Sequence, residues 1–245
     1  MTERIGFYER VLRRLVDEEL VRRDWHVLVV AGGPVDRAAF AACGFTDVTF
    51  TNLSGDGDEL QDAEALSYDD DSFDFAVISA GLHHCASPHR ALLELYRVAR
   101  RGVLALEARD SALMRFAQRL GVVDEYELTA VADNDFEAGG VRNSPVPNYV
   151  YRWTEREVEK TIASAAPQRR HRFVWFRELE LPVSVLELGG KGKWRFAAAP
   201  LQLVTKVFPR QANLFAFAVF REQLQPWMRD AATPDVDAIR SRLGQ

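Results

Sequence analysis

The sequence predicts an α/β fold built on a doubly wound, parallel sheet. Two observations carry that reading. Apolar runs of strand length, such as Val27–Val30, Phe75–Ile78 and Val103–Leu106, alternate with amphipathic segments of helix length through the first half of the chain. The stretch Ser72-Phe-Asp-Phe-Ala-Val-Ile-Ser-Ala-Gly-Leu-His-His84 reads as a buried strand, then a turn of small residues, with a helix opening at Ser87-Pro88. In such a sheet ligands bind beyond the carboxyl ends of the strands, so that turn is the first place to look for a site.

Residues 3 to 23 form the first expected helix. Ile5, Tyr8, Val11, Leu12, Leu15, Val16 and Leu20 recur at three- and four-residue steps, a face to pack outside the sheet or over the site entrance. Next come a strand at 26 to 30, the turn Ala31-Gly32-Gly33-Pro34, a helix to Cys43 and Gly44 at its left-handed end. Asp47 to Thr51 is the second strand, and Asn52 to Asp58 a polar loop. Gln61 to Leu66 is read as a short third strand, followed by the acidic turn 67 to 71 and a fourth strand, Phe73 to Ser79. Pro88 to Arg100 is a helix ended by Arg101-Gly102, before a fifth strand at 103 to 106 closed by Glu107. Asp110 or Ser111 caps a further helix to about Leu120.

Periodicity fades between Val122 and Trp153, which hold Gly139-Gly140, Pro145, Pro147 and several aromatics. A long irregular segment of this composition reads as a lid or substrate-binding insertion. Thr154-Glu-Arg-Glu157 is a capping box for a helix to about Ala165. His171 to Leu181 and Asn213 to Arg221 are the remaining strands; between them lie apolar residues at 183 to 188, the loop Gly189–Gly192 and scattered apolar residues at 194 to 208. The expected organisation is 1–24 N-terminal helix, 25–121 cofactor-binding half, 122–153 lid insertion, 154–222 second half of the same domain, and 223–245 a peripheral tail.

Composition narrows the function. The formal net charge of −5 offers no basic field for a nucleic acid backbone. Two cysteines with no CxxC spacing suit a reducing, cytoplasmic setting, and neither a signal peptide nor a membrane-length apolar run is expected. A serine hydrolase elbow and a nicotinamide glycine fingerprint are both absent.

Three motifs in order, Asp62-Ala-Glu-Ala-Leu66 with Ser72–Val77, Gly81-Leu-His-His84, and Ala91–Val98 with Arg101-Gly102, resemble the class I S-adenosylmethionine-dependent methyltransferases of the methyltransferase type 11-like, small-molecule group. The resemblance covers about Val27 to Glu107. It implies a Rossmann-like, seven-stranded, mostly parallel sheet with flanking helices, one antiparallel strand at the edge, and S-adenosyl-L-methionine as cofactor. By the same resemblance Ala31, Gly32 and Gly33 approach the methionine tail, Asn52 the ribose, Asp62 and Ala63 the adenine, and Gly81 and Leu82 the sulfonium end. The family's acidic-x-Gly-x-Gly-x-Gly pattern falls here on Val29, Ala31, Gly33 and Val35, and Asn52 replaces a carboxylate; Asp36 is a candidate stand-in for the acid missing at Val29. A methyltransferase-like domain with a degenerate cofactor site, serving as a binding or scaffolding protein, is therefore the alternative.

His83 and His84 are candidate general bases, because neutral imidazole accepts protons near working pH. Packing or hydrogen bonding within the turn is the plainer role for both. His83, His84, Cys85 and His89 crowd too few positions to converge on one tetrahedral ion, so no metal is expected. Glu107 either faces the substrate or is a solvated strand end. Arg142, Asn143, Tyr149 and Tyr151 mix cations, amides and aromatics and are candidates for holding a small polar acceptor, most readily methylated at oxygen. Self-association into a homodimer stays open.

Overall fold

The computed structural model describes residues 2–54, 57–180 and 205–244. The first half comprises α1 (Thr2–Asp17), β1 (Val27–Val30), α2 (Pro34–Cys43), β2 (Val48–Asn52), β3 (Glu59–Leu60), β4 (Phe73–Ser79), α3 (Pro88–Val98), β5 (Ala99–Ala108) and α4 (Ala112–Arg119). The second half comprises α5 (Leu128–Ala132), α6 (Glu155–Ala165), β6 (Arg169–Glu178), β7 (Leu214–Leu224) and, among the described residues, a last helix α7 (Val236–Leu243).

The seven strands stand in the order β3-β2-β1-β4-β5-β7-β6. The first five are parallel, and β7 runs antiparallel to both β5 and β6. The antiparallel strand is thus one place in from the edge. The reason lies in the side chains: Phe215–Phe220 of β7 are buried on both faces, whereas β6 is partly exposed along most of its length. The more apolar run takes the covered place.

Alternate residues of each central strand face opposite layers. Leu28, Val30, Ala76, Ile78, Val103 and Ala105 meet α3 and α6 on one side. Val27, Val29, Phe75, Val77, Leu104 and Leu106 meet α1 and α2 on the other. Each fully buried Leu, Ile, Val or Phe contributes roughly 1.5–3 kcal/mol by leaving water. Helix α1 therefore covers a sheet face and not the site entrance.

Three boundaries differ from the expected ones. Gln61 to Leu66 is no strand: Asp62 Oδ1 accepts the Glu64 N–H at 2.9 Å and Ala65 N–H donates to the Asp62 carbonyl at 3.0 Å, a local turn that competes with extended pairing. The short β3 precedes it. α1 stops at Asp17, where Asp17, Glu18 and Glu19 place negative charge against the helix C-terminus and Glu19 turns left-handed at φ 56°. α3 stops at Val98 because Ala99 already pairs with Phe73; Arg100 and Arg101 then both donate to Asp74 Oδ1 at 2.8 Å. The expected features at 183–188, 189–192 and 194–204, and part of the 52–58 loop, fall outside the described residues. Among the described residues no helix is long and apolar enough to cross a membrane.

Candidate functional site

β1 and β4 end side by side, and both chains then turn sharply. Ala31 (φ 54°) and Ala80 (φ 50°) occupy the left-handed region, at a cost of about 1 kcal/mol each. Gly81 serves a close approach: a Cβ there would lie 2.9 Å from the Ala31 methyl and 2.8 Å from Ile78 Cγ1. Between these turns and the end of β2 opens a cavity of about 210 Å³. Ala31, Asn52, Asp62, Ala63 and Gly81 line it; Gly32, Gly33 and Leu82, expected with them, do not. Gly32 N–H is used by Thr51 O in the sheet, Gly33 N–H donates to Asp36 at 2.9 Å, and Leu82 is buried in the core. Asp36 is thus the buried cap of α2, pushed toward its protonated form by burial, and no substitute for an acid at Val29.

The polar groups of the cavity are already engaged. Asp62 Oδ2 accepts from Arg142 at 2.6 Å. Asn52 donates to Gly32 O at 3.3 Å and accepts the Ser54 N–H at 3.4 Å. Glu64, buried, accepts the N–H groups of Ala86 and Ser87 at 3.0 and 2.9 Å, so this carboxylate anchors the chain entering α3 and lies at the helix's positive end, where the Ser87 side chain makes no cap bond. Cys85 also lines the cavity; burial, then Glu64 and Glu107, push its thiol up to about 12, so it stays protonated.

At one corner a single helical turn, Leu82–His84, sets two imidazoles side by side. Glu107, fully buried, accepts the Leu82 N–H at 2.8 Å and pairs with His83 Nδ1 at 2.8 Å. It is neither a solvated strand end nor a group facing the cavity. His83 Nε2 faces Glu127 at 3.4 Å. Burial pushes His83 down, but Glu107 and then Glu127 outweigh it and bring it up to about 9. His83 does not line the cavity, so it is not placed to take a proton from a molecule there. His84 lines the cavity; its Nδ1 lies 2.7 Å from Asn148 Nδ2 and its Nε2 3.3 Å from Glu127. The imidazoles of His83 and His84 hold the Glu127 carboxyl well below the usual range. Cys85 and His89 leave this cluster: Cys85 turns to Gly81 O, and His89 lies 3.2 Å from Glu157.

The insertion supplies Glu127, Arg142, Asn143 and Asn148 to this side. Its path depends on Gly139, at φ 92°, and Gly140, where a Cβ would meet Val146 O at 1.8 Å. Tyr149 and Tyr151 do not join Arg142 and Asn143. They border a separate depression with Arg115, Arg119 and Arg152, where the chain runs in to bury Trp153 in the core. Glu127 and Asn148 gave no signal in the sequence, since neither belongs to a motif.

Residues 47–106 match a family model described as a methyltransferase domain. Over that stretch the chain is similar to a methyltransferase domain. Among solved structures, the YcgJ protein from Bacillus subtilis is 14% identical with a TM-score of 0.50, covering 86% of this chain and 98% of its own. A SAM-dependent methyltransferase from Thermotoga maritima is 16% identical, TM-score 0.49, covering 90% and 95%. Magnesium protoporphyrin IX methyltransferase from Synechocystis, solved with bound SAH, is 10% identical, TM-score 0.49, covering 89% and 84%. No curated protein sequence matches. The donor set of this cavity fits the chemistry of S-adenosylmethionine: the Asp62 carboxylate suits an adenine amine, the Asn52 amide a ribose diol, and the crowded Ala31–Gly81 junction brings backbone to the cavity.

Proposed function

We propose that this methyltransferase fold binds S-adenosyl-L-methionine in the cavity at the ends of β1, β2 and β4 and moves its methyl group to the oxygen of a small-molecule acceptor. The observation carrying the proposal is that Asp62, Ala63, Asn52, Ala31 and Gly81, which resemblance to the family assigns to the cofactor, line one cavity. When bound, the cofactor supplies an electrophilic methyl on a sulfonium. The chain supplies position and exclusion of water, the main sources of rate in an in-line displacement. An oxygen acceptor must also lose its proton, and His84, which lines the cavity with Glu127 at 3.3 Å from its Nε2, marks the corner where that occurs.

Calorimetric titration with S-adenosylhomocysteine tests this reading. Binding is expected, and Asp62→Ala should weaken it at least roughly tenfold, the worth of a hydrogen bond to a charged group. One observation favours the alternative, a non-catalytic relative: Arg142 sits on Asp62 and Asn52 is bonded within its own loop. Absence of binding at millimolar ligand would leave that alternative standing.

A further inference from the structure

The corner formed by His83, His84 and Glu127 is built like a cation site. Its three ligand atoms lie within 4.8 Å of one another. Glu127 Oε2 accepts from Asn148 Nδ2 at 3.4 Å, and its two imidazole contacts, 3.4 Å from His83 Nε2 and 3.3 Å from His84 Nε2, are long for charge-assisted hydrogen bonds, which favour about 2.7–2.9 Å. They match a different length. Bonds of about 2.0–2.1 Å at the tetrahedral angle span an edge of about 3.3–3.4 Å.

The surroundings agree. Glu107 on His83 Nδ1 fixes the ring and leaves Nε2 toward the corner, the carboxylate–histidine arrangement that holds metal-binding imidazoles. Asn148 is fully buried against His84 Nδ1, yet its Oδ1 has no hydrogen-bond partner. Turning that amide over presents Oδ1 to an Nδ1–H and frees His84 Nε2 as a ligand, in exchange for the long contacts of Nδ2 to Gly139 O at 3.3 Å and Glu127 Oε2 at 3.4 Å; the two orientations are not distinguished by shape. His84 also lines the cavity, so the open side of the triad adjoins it.

We propose that His83 Nε2, His84 Nε2 and a Glu127 oxygen bind one divalent cation of the Zn²⁺ type, with a fourth position open to the cavity. Two imidazoles and one carboxylate suit Zn²⁺. Asn148 and Glu107 act as positioning residues. A cation there would bind the acceptor oxygen and make its proton easier to lose, the task left open at this corner. The site stands on its own geometry and does not require the cofactor.

The test uses the full chain, stripped with chelator and titrated with Co²⁺, without S-adenosylhomocysteine or turnover. One equivalent should bind with a visible band of four-coordinate intensity, and Zn²⁺ should displace it. Glu127→Gln and His84→Asn should each lose the band and weaken uptake at least roughly tenfold, while Glu125→Gln, on the same loop, should keep both. Asn148→Asp should retain the band and Asn148→Leu should weaken uptake. No band in the wild type, or a band surviving both ligand substitutions, overturns the proposal. Circular dichroism confirms that each variant is folded; if one is not, the other ligand variant and the wild-type stoichiometry decide. Because no cofactor is present, failure here is distinct from failure of cofactor binding.

Discussion

Ala31 carries the family's degraded glycine turn in a single methyl. Its φ of 54° is one that glycine adopts freely and alanine does not. Ala31→Gly should therefore stabilise the fold by about 0.5–1 kcal/mol, seen as a higher urea midpoint at unchanged slope. The opposite holds for Glu107. Glu107→Gln weakens the buried acceptor of the Leu82 N–H and of His83 Nδ1 and should cost about 1–3 kcal/mol in urea denaturation. At this scale the site was half legible. Asp62, Ala63 and Gly81 were readable because each sits in a motif of fixed spacing. Glu127 and Asn148 were not, because the insertion that delivers them has no periodicity to place it. Tyr149 and Tyr151 looked like Arg142's companions in sequence; the burial of Trp153 separates them.

Among the elements, α6 shows how a helix is both announced and tethered. Its capping box is present as the sequence implied: Glu157 N–H donates to the Thr154 hydroxyl at 3.2 Å and the helix spans Glu155–Ala165. Its first residue, Glu155, is then held by Arg109 at 2.6 and 2.7 Å and by Arg177 at 2.6 Å. Burial pushes that carboxyl up, but the two guanidiniums outweigh it and hold it at about 2, below its ordinary 4.5. The stabilisation is complete above pH 4.5 and is lost as pH falls toward about 2. Denaturation midpoints at pH 5 and pH 3 should differ less in Glu155→Gln than in the wild type. Strand β4 was equally legible, since its short apolar run, with six of seven residues buried, leaves no other choice. Strand β3 was not: two exposed residues carry no apolar pattern, and the Asp62 turn after them imitates one.

For the whole molecule, the insertion and the sheet meet at the Arg142–Asp62 contact. Arg142 is more than half exposed, and such a pair contributes at most about 1 kcal/mol. The contact therefore hinders a ligand at Asp62 weakly and does not seal the cavity. Arg142→Ala should tighten S-adenosylhomocysteine binding by no more than about fivefold in calorimetry. A larger gain would mean that the whole insertion moves with it. Glu64 extends the reach of the same turn. It holds the two amides just before α3 while its neighbours Asp62 and Ala63 face the cavity. Steadying that turn with a ligand also steadies the end of a helix packed beneath the sheet. Slower deuterium uptake at Ala86 and Ser87 would then report occupancy of the adenine end from outside the cavity, without any probe attached to the ligand.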